Sequence, residues 1–443
     1  MRVAFSNLGC KLNQAELEDL ARQFAAAGHD VVAAAPEADL HVVNSCTVTH
    51  RAARDSRKTA RRGRRHNERL RTVLTGCWVE SDPEAAAALA GVDLVVPNAA
   101  KEQLLERVHA AFPELRPPGL AASPLEVPYV PLAFGNARAL VKIEDGCDMR
   151  CAFCIIPATR GRQRSRHPAA VVRDVRRLAA AGFAEVVVTG VQISSYRWDD
   201  TGLFELVRRL LRETSVPRLR LTSIAPWELD LRLLDLFAAD PGGGTRLCRH
   251  FHLSLQSGCD ATLRRMRRPY TAARFAAVVE RVRERLPRAA ITTDVIVGFP
   301  GESAADFEES LAFVAAQGFA RVHAFPYSAR PGTAAAGFGG RVEPAVARER
   351  MGRLLAVAAA GAAAFARAQL GQTVSVLWEE RRGAVWRGTS DNYLRVETRA
   401  AAPLRRRLAA ARLVAVDGPL LRGTLTPRQA VAGAPPGRGL DCR

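Results

Sequence analysis

Lysine is nearly absent from this chain. Of 443 residues 64 are Lys or Arg, and only Lys11, Lys58, Lys101 and Lys142 are lysines. Tyrosine and tryptophan are scarce at five each, and methionine at four. No apolar run reaches the roughly 20 residues of a membrane-spanning helix. The longest lies between Arg353 and Arg367 and is mostly alanine, so no membrane association is expected. Nine cysteines are too sparse for a disulfide scaffold, and their number is odd. The first twenty residues hold acids where a secretory signal holds an apolar core. A reducing cytoplasm is therefore expected, and clustered cysteines read as metal ligands or reactive thiols.

Hydrophobic residues make up 48%, enough for real cores, and the length suggests about three domains. A formal charge of +19 attracts polyanions. An Arg- and Ala-rich bias also arises from a GC-rich genome, so charge alone does not establish a nucleic-acid partner. Over the first 112 residues, Val3–Leu8, Leu40–Asn44 and Thr72–Thr75 read as strands. Asn13–Ala27 reads as a helix stopped at Gly28. Such alternation implies a parallel sheet covered on both faces. Residues 113–133 hold six prolines (Pro113, Pro117, Pro118, Pro124, Pro128, Pro131) and read as a stiff linker. Six strand–helix units follow, with strands at Ala139–Glu144, Glu185–Thr189, Arg218–Thr222, Phe251–Leu255, Ile291–Val297 and Arg321–Phe325. They fit a full or partial barrel whose reactive groups sit at the carboxyl ends of the strands. After a helix near Pro344–Leu370, short strands at Thr373–Glu380, Ala384–Arg387, Leu394–Glu397 and Leu413–Val416 suggest a small antiparallel barrel. The Gly-, Pro- and Arg-rich tail after Pro427 is expected to lack fixed structure. The fold class expected is α/β: an open parallel sheet domain, a partial (β/α) barrel and a small C-terminal β-barrel.

The run EDGCDMRCAFCIIP over 144–157 places Cys147, Cys151 and Cys154 at C-x3-C-x2-C spacing, just after a predicted strand. Three thiolates on one loop can hold three irons of a four-iron cubane, leaving the fourth open to a small ligand. Zinc is the competing reading, but it wants a fourth ligand. The nearest downstream histidine, His167, stands at no zinc-type spacing. Cys10, Cys46 and Cys77 each close a predicted strand, one strand–helix–strand unit apart. The carboxyl ends of parallel strands form one edge, so these three can converge on a second open cluster. Gly9, Ser45 and Gly76 would let backbone approach it closely. The bland alternative is three buried structural cysteines. Cys248, Cys259 and Cys442 match no ligand pattern and read as core or incidental.

The 147–154 loop resembles that of the radical S-adenosylmethionine enzymes. The resemblance implies a [4Fe-4S] cluster on Cys147, Cys151 and Cys154. S-adenosylmethionine would bind its open iron by amine and carboxylate and be cleaved to a 5′-deoxyadenosyl radical. It also places DVIVGFPGE over 294–302, with Gly298 and Glu302, against the adenine. Thr189 and Gly190 fall where the family contacts the methionine amine, although its usual Gly-Gly-Glu is absent here. Gln256 and Ser257 are carried over as cofactor contacts in the same way.

The two trios together resemble the methylthiotransferases, which join a cluster domain, a radical core and a C-terminal TRAM domain. GCKLNQ (9–14), NSCTVT (44–49), SIAPW (223–227), HLSLQSG (252–258) and PYSARPGT (326–333) are most similar to one subgroup, that acting on N6-threonylcarbamoyladenosine in tRNA. The isopentenyladenosine subgroup typically has Gln-Met after its first Gly-Cys, and the ribosomal-protein subgroup Pro-Lys. This chain has Lys11 and Leu12. The resemblance implies a cluster domain (1–112), a linker (113–133), a radical core (134–367) and a TRAM-like RNA-binding domain (368–430). It implies two [4Fe-4S] clusters and S-adenosylmethionine as cofactors, a tRNA anticodon stem-loop as substrate and a flavodoxin- or ferredoxin-type electron donor. The reaction implied is methylthiolation of adenine C2, with the sulfur source left open. Isopentenyladenosine, a ribosomal-protein aspartate, or a non-enzymatic RNA-binding role for a metal-stabilised protein are the alternatives.

Arg51, Arg54, Arg57, Lys58, Arg61, Arg62, Arg64 and Arg65 crowd a predicted helix after Cys46 and suit tRNA phosphates; a merely solvated face is the alternative. Arg160, Arg162, Arg164 and Arg166 are candidates for substrate phosphate or the cofactor carboxylate. Trp378, Trp386 and Tyr393 interleave with Arg381, Arg382, Arg387 and Arg395, as in base-stacking surfaces; equally, the aromatics can simply fill the barrel.

Overall fold

The computed structural model describes residues 1–65, 67–117, 136–237 and 246–426. Pro118, Pro124, Pro128 and Pro131 of the expected linker, Cys442 and the tail after Pro427 lie outside the described residues.

The N-terminal part is a five-stranded parallel sheet. The strand Arg2–Asn7 lies between Asp30–Val32 and Leu40–Ser45, and Arg71–Gly76 and Leu94–Val96 continue the sheet on the latter's side. Leu40–Ser45 is buried along its whole length because helices cover both faces. The helix Lys11–Ala26 packs Leu17, Leu20 and Phe24 against Val3, Phe5, Val42 and Val73. It ends at Ala27, and Gly28 follows at φ +82°, the left-handed geometry expected of a terminating glycine.

In the central part, strands Ala139–Lys142, Glu185–Thr189 and Arg218–Leu221 form one parallel sheet. Ser223–Ile224, His250–Leu253, Ala290–Val297 and Arg321–Pro326 form a second. The chain passes directly from Leu221 to Ser223, so six consecutive parallel strands curve round one large core. No pairing joins Ala139–Lys142 to Arg321–Pro326. The barrel is partial, with an open side, and the N-terminal helix Lys11–Ala26 packs on its first strand.

The last part is a closed five-stranded barrel of Thr373–Arg382, Val385–Ser390, Arg395–Arg399, Leu408–Asp417 and Leu420–Leu425. The expectation of an all-antiparallel barrel missed Leu420–Leu425, which pairs parallel with Arg395–Arg399. An odd number of strands cannot alternate direction all the way round a ring, so one parallel pair is required. This barrel docks on the amino-terminal end of the central strands. Glu185 accepts from Arg220 Nε at 2.7 Å and from Arg218 at 2.5 Å. The same guanidinium groups donate to the carbonyls of Ser375, Thr389, Ser390 and Asp391. Burial alone would push Glu185 up, but the two arginines hold it well below the usual carboxylate range.

Candidate active site

Cys10, Cys46 and Cys77 follow closely on strands whose ends are in register: Asn7 pairs with Asn44, Asn44 with Thr75 and Ser45 with Gly76. Parallel pairing thus brings three residues spread over 68 positions of sequence to one edge. Hydrogen bonds then knit that edge. Asn13 Nδ2 donates to the carbonyls of Leu8 (2.8 Å) and Ser45 (3.0 Å). Ser56 accepts from the Cys46 amide at 3.0 Å. Gly9 and Gly76 both stand at φ near +100°. A Cβ on Gly9 would come within 2.6 Å of Cys46 Sγ, and one on Gly76 within 2.5 Å of Ser45 backbone. Both glycines thus let the strand ends pack closely against Cys46 and the Ser45 backbone. Cys46 and Cys77 are buried while Cys10 is accessible. Even so, surrounding protein raises the Cys10 thiol, against the pull of the Arg160 guanidinium. Burial, with the nearby Cys77 and Cys10, pushes Cys46 up to about 11.

The second trio lies on the loop after Ala139–Lys142. The Cys147 amide donates to Gly161 O at 3.1 Å, and the Met149 amide points at Cys147 Sγ at 3.4 Å. Cys151 Sγ accepts from Arg268 Nη1 at 3.2 Å. Burial, with Cys151 and Cys147 alongside, pushes Cys154 up to about 12. Arg268 is held by aromatic faces, 4.6 Å from the centroid of Trp227 and 5.3 Å from that of Tyr270, and these rings stack at 5.3 Å. The SIAPW motif therefore supports a cation aimed at a cluster ligand. In an arginine-rich chain no spacing singles Arg268 out, so sequence reasoning missed it. Amide and guanidinium donors pointing at thiol sulfurs fit thiolates that carry a cluster's negative charge. Among the described residues no three His, Cys, Asp or Glu side chains converge as ligands of a single ion.

The other expected cofactor residues separate into two groups. Thr189 ends the second strand and Gly190 follows it, packed against Glu144. A Cβ on Gly190 would fall 2.1 Å from Glu144 Oε1, so this glycine exists to admit Glu144. Glu144 is fully buried; Oε1 accepts from the Gln192 amide at 2.6 Å, and Oε2 has no partner. Burial pushes its carboxyl up to about 8. Sequence reasoning missed Glu144, although it stands three residues before Cys147. Gln256 sits at φ +70°, a strained value for a side-chain-bearing residue, and its backbone bonds to Asp294 and Ile296. Ser257 accepts from the Cys259 amide, and Glu302 is taken by Arg350 at 2.6 Å and by the Gly298 amide at 3.1 Å. In the structure these last three brace turns.

The two cysteine edges are tied together across the domain boundary. Buried Arg160 donates to Glu16 Oε1 and Asp145 Oδ1, both at 2.9 Å, and to Asn13 Oδ1. Glu16 also receives Lys101 at 2.7 Å and Lys142 at 3.2 Å. Burial would raise the Glu16 carboxyl, but Lys101, Arg160 and Lys142 hold it well below the usual range. Arg330, from PYSARPGT, donates to Thr47 O at 3.0 Å, and Asn98 donates to Thr159 O at 2.8 Å. Two sequence readings are corrected here. Arg160 is not free for phosphate, and Arg166 is bound to Asp174 and the Lys142 carbonyl. Arg162 leans on Asp148 and Arg164 on neighbouring carbonyls. Nor do the barrel aromatics form a stacking surface. Trp378 and Trp386 are buried in the barrel core, and Tyr393 stacks on His250 at 4.2 Å. Of the cations beside them, Arg387 and Arg395 pair with Glu397 and Glu379. The helix His50–Arg62 keeps its exposed cations: Arg51, Arg54, Lys58, Arg61 and Arg62 all face outward. Arg57 rests on Trp78 and Arg64 on Asp93.

Comparison with known proteins agrees with this architecture. Residues 141–314 match the radical SAM superfamily, and residues 2–97 match an uncharacterized protein family, UPF0004. The threonylcarbamoyladenosine tRNA methylthiotransferase MtaB of Bacillus subtilis is 34% identical over 407 residues, covering 89% of both chains. The tRNA-2-methylthio-N(6)-dimethylallyladenosine synthase of Parafrankia is 37% identical, covering 85% of this chain and 77% of that one. Among solved structures, the radical S-adenosylmethionine methyltransferase TsrM of Kitasatospora setae superposes with a TM-score of 0.54 at 18% identity, over 73% of this chain and 72% of that one, and shares the fold. The chain is a member of the radical S-adenosylmethionine methylthiotransferase family, and with that membership come S-adenosylmethionine and a [4Fe-4S] cluster.

Proposed function

We propose that this enzyme methylthiolates C2 of the adenine in N6-threonylcarbamoyladenosine, next to the tRNA anticodon. The observation that carries the reading is the pair of cysteine edges, each at the carboxyl ends of parallel strands and tied to one another by Arg160, Arg330 and Asn98. An unactivated aromatic C–H yields to no side-chain acid or base, so the chemistry belongs to cofactors. When bound, a cluster on Cys147, Cys151 and Cys154 supplies the electron that cleaves S-adenosylmethionine, and a second on Cys10, Cys46 and Cys77 supplies the place where sulfur is methylated and handed over.

The chain's own residues do the rest. Glu144 braces the loop after the second strand through the Gln192 amide. Arg268 balances charge at Cys151. The salt-bridged junction around Glu16 fixes the spacing of the two edges. Arg51, Arg54, Lys58, Arg61 and Arg62 track the phosphates of an anticodon stem-loop. A flavodoxin- or ferredoxin-type protein delivers electrons, in the cytoplasm. Identity does not separate the adenosine substrates, since relatives named for either lie at 34–37%; the Lys11-Leu12 pair favours the threonylcarbamoyl one.

The test is anaerobic reconstitution of the full chain and two variants. Cys147→Ala should abolish deoxyadenosine formation. Cys46→Ala should still form it but give no methylthio product. Methylthio product from Cys46→Ala refutes the division of roles, and product on isopentenyl but not threonylcarbamoyl RNA refutes the substrate.

A further inference from the structure

The lysine of the GCKLNQ motif stands where the three parts of the chain come together, beside a group of histidines that neither cysteine trio uses. His252, Thr292, Asp294 and His323 are neighbours on three adjacent strands: His252 Nδ1 lies 3.0 Å from Thr292, Nε2 lies 3.1 Å from Asp294, and its ring is 5.7 Å from that of His323. Tyr393 of the terminal barrel stacks on His250, which is buried and leaves Nδ1 without a partner. Over the Tyr393 ring, 5.6 Å from its centroid, stands the ammonium of Lys11, from the N-terminal domain. Three parts of the chain thus meet at one lysine.

Nothing in the fold calls for that lysine. It makes no ion pair among the described residues, whereas Lys101 and Lys142 are both spent on Glu16. It opens the helix Lys11–Ala26, where a cation opposes the helix dipole, and no acid in the first turn offsets it. A lysine presents a compact ammonium with three donors rather than the planar fork of an arginine, and so can turn to a single carboxylate. Lys11 also adjoins Cys10. In adenine, C2 and C6, the carbon that carries N6, flank the same ring nitrogen. A sulfur donor held at Cys10 and brought to C2 leaves the N6 substituent within the reach of a long side chain on the next residue. The threonylcarbamoyl group ends in a carboxylate, and an isopentenyl group carries no charge.

Resting on the substrate reading above, we propose that Lys11 is the specificity residue: its ammonium leaves the Tyr393 ring to hold the threonyl carboxylate on N6, and so selects the charged substrate. Equilibrium binding by the reconstituted full chain tests it. The probes are three labelled anticodon stem-loop RNAs bearing threonylcarbamoyladenosine, its methyl ester or plain adenosine. Wild type should bind the acid about tenfold or more tighter than the ester, the scale of one hydrogen bond to a charged group. Lys11→Gln should bind acid and ester within about twofold and keep the wild-type affinity for the ester, which reports an intact fold. Lys11→Arg should keep part of the preference. If Lys11→Gln discriminates as well as wild type, or loses all three RNAs equally, the assignment is overturned. If wild type itself binds plain adenosine as tightly as the threonylcarbamoyl RNA, the substrate reading fails first and this one falls with it.

Discussion

Replacing Arg160 with methionine removes the centre of the domain junction while keeping an unbranched side chain of similar length. The guanidinium is 1% exposed and makes hydrogen bonds to Glu16, Asp145 and Asn13. Breaking a buried ion pair by deleting one partner costs roughly 3–5 kcal/mol. Here both acids keep a lysine, Lys101 and Lys142 for Glu16 and Lys142 for Asp145. No carboxylate is left alone, so the cost belongs at the low end, about 3 kcal/mol. At about 2–4 °C per kcal/mol for a unit of 150–250 residues, the first thermal transition should fall by about 6–12 °C. The functional consequence is separate. Both cysteine trios remain, so S-adenosylmethionine cleavage should persist while the yield of methylthio product per cleavage drops. Calorimetry of the apoprotein and product ratios from the reconstituted enzyme check the two halves. A shift below about 2 °C, or an unchanged coupling ratio, would show that the junction does not set the spacing of the two sites.

Glu185→Ala leaves Arg218 and Arg220 buried and unpaired beneath the terminal barrel; destabilisation of roughly 3–5 kcal/mol and protease cleavage near residue 370 are expected. Burial, with the chain's amino terminus and His109 beside it, lowers His29 to about 4. The unfolded chain takes its proton near the ordinary value of 6.5 and the folded one resists it. Stability is thus fully present above about 6.5 and drains away as pH falls toward about 4, and His29→Leu should flatten a melting curve series over that range. Reversing Arg51, Arg54 and Lys58 to glutamate should weaken all RNAs alike and make binding less sensitive to salt, the slope falling by nearly one for each phosphate that is no longer neutralised.

The sequence by itself determined where both cysteine trios lie in the fold. Local patterns place strands where the chain alternates, and a cysteine directly after a strand must lie at its carboxyl end. Three such cysteines on adjacent parallel strands meet at one edge whatever the side chains between them do. That is why Cys10, Cys46 and Cys77, and the 147–154 loop, were legible in the chain alone. Arginine was illegible for the opposite reason. With 60 arginines the residue type carries no information, and only tertiary contacts separate Arg160 (domain junction), Arg268 (against the Cys151 sulfur), Arg218 and Arg220 (barrel docking) from the outward-facing cations of His50–Arg62. The terminal aromatics were ambiguous in the same sense. Their spacing suits a stacking surface or a barrel interior equally, and burial of Trp378 and Trp386 decided for the interior. Where Lys11 points was also beyond sequence, because its neighbours His250 and Tyr393 stand more than 200 residues away, and chain folding alone brings them under one ammonium.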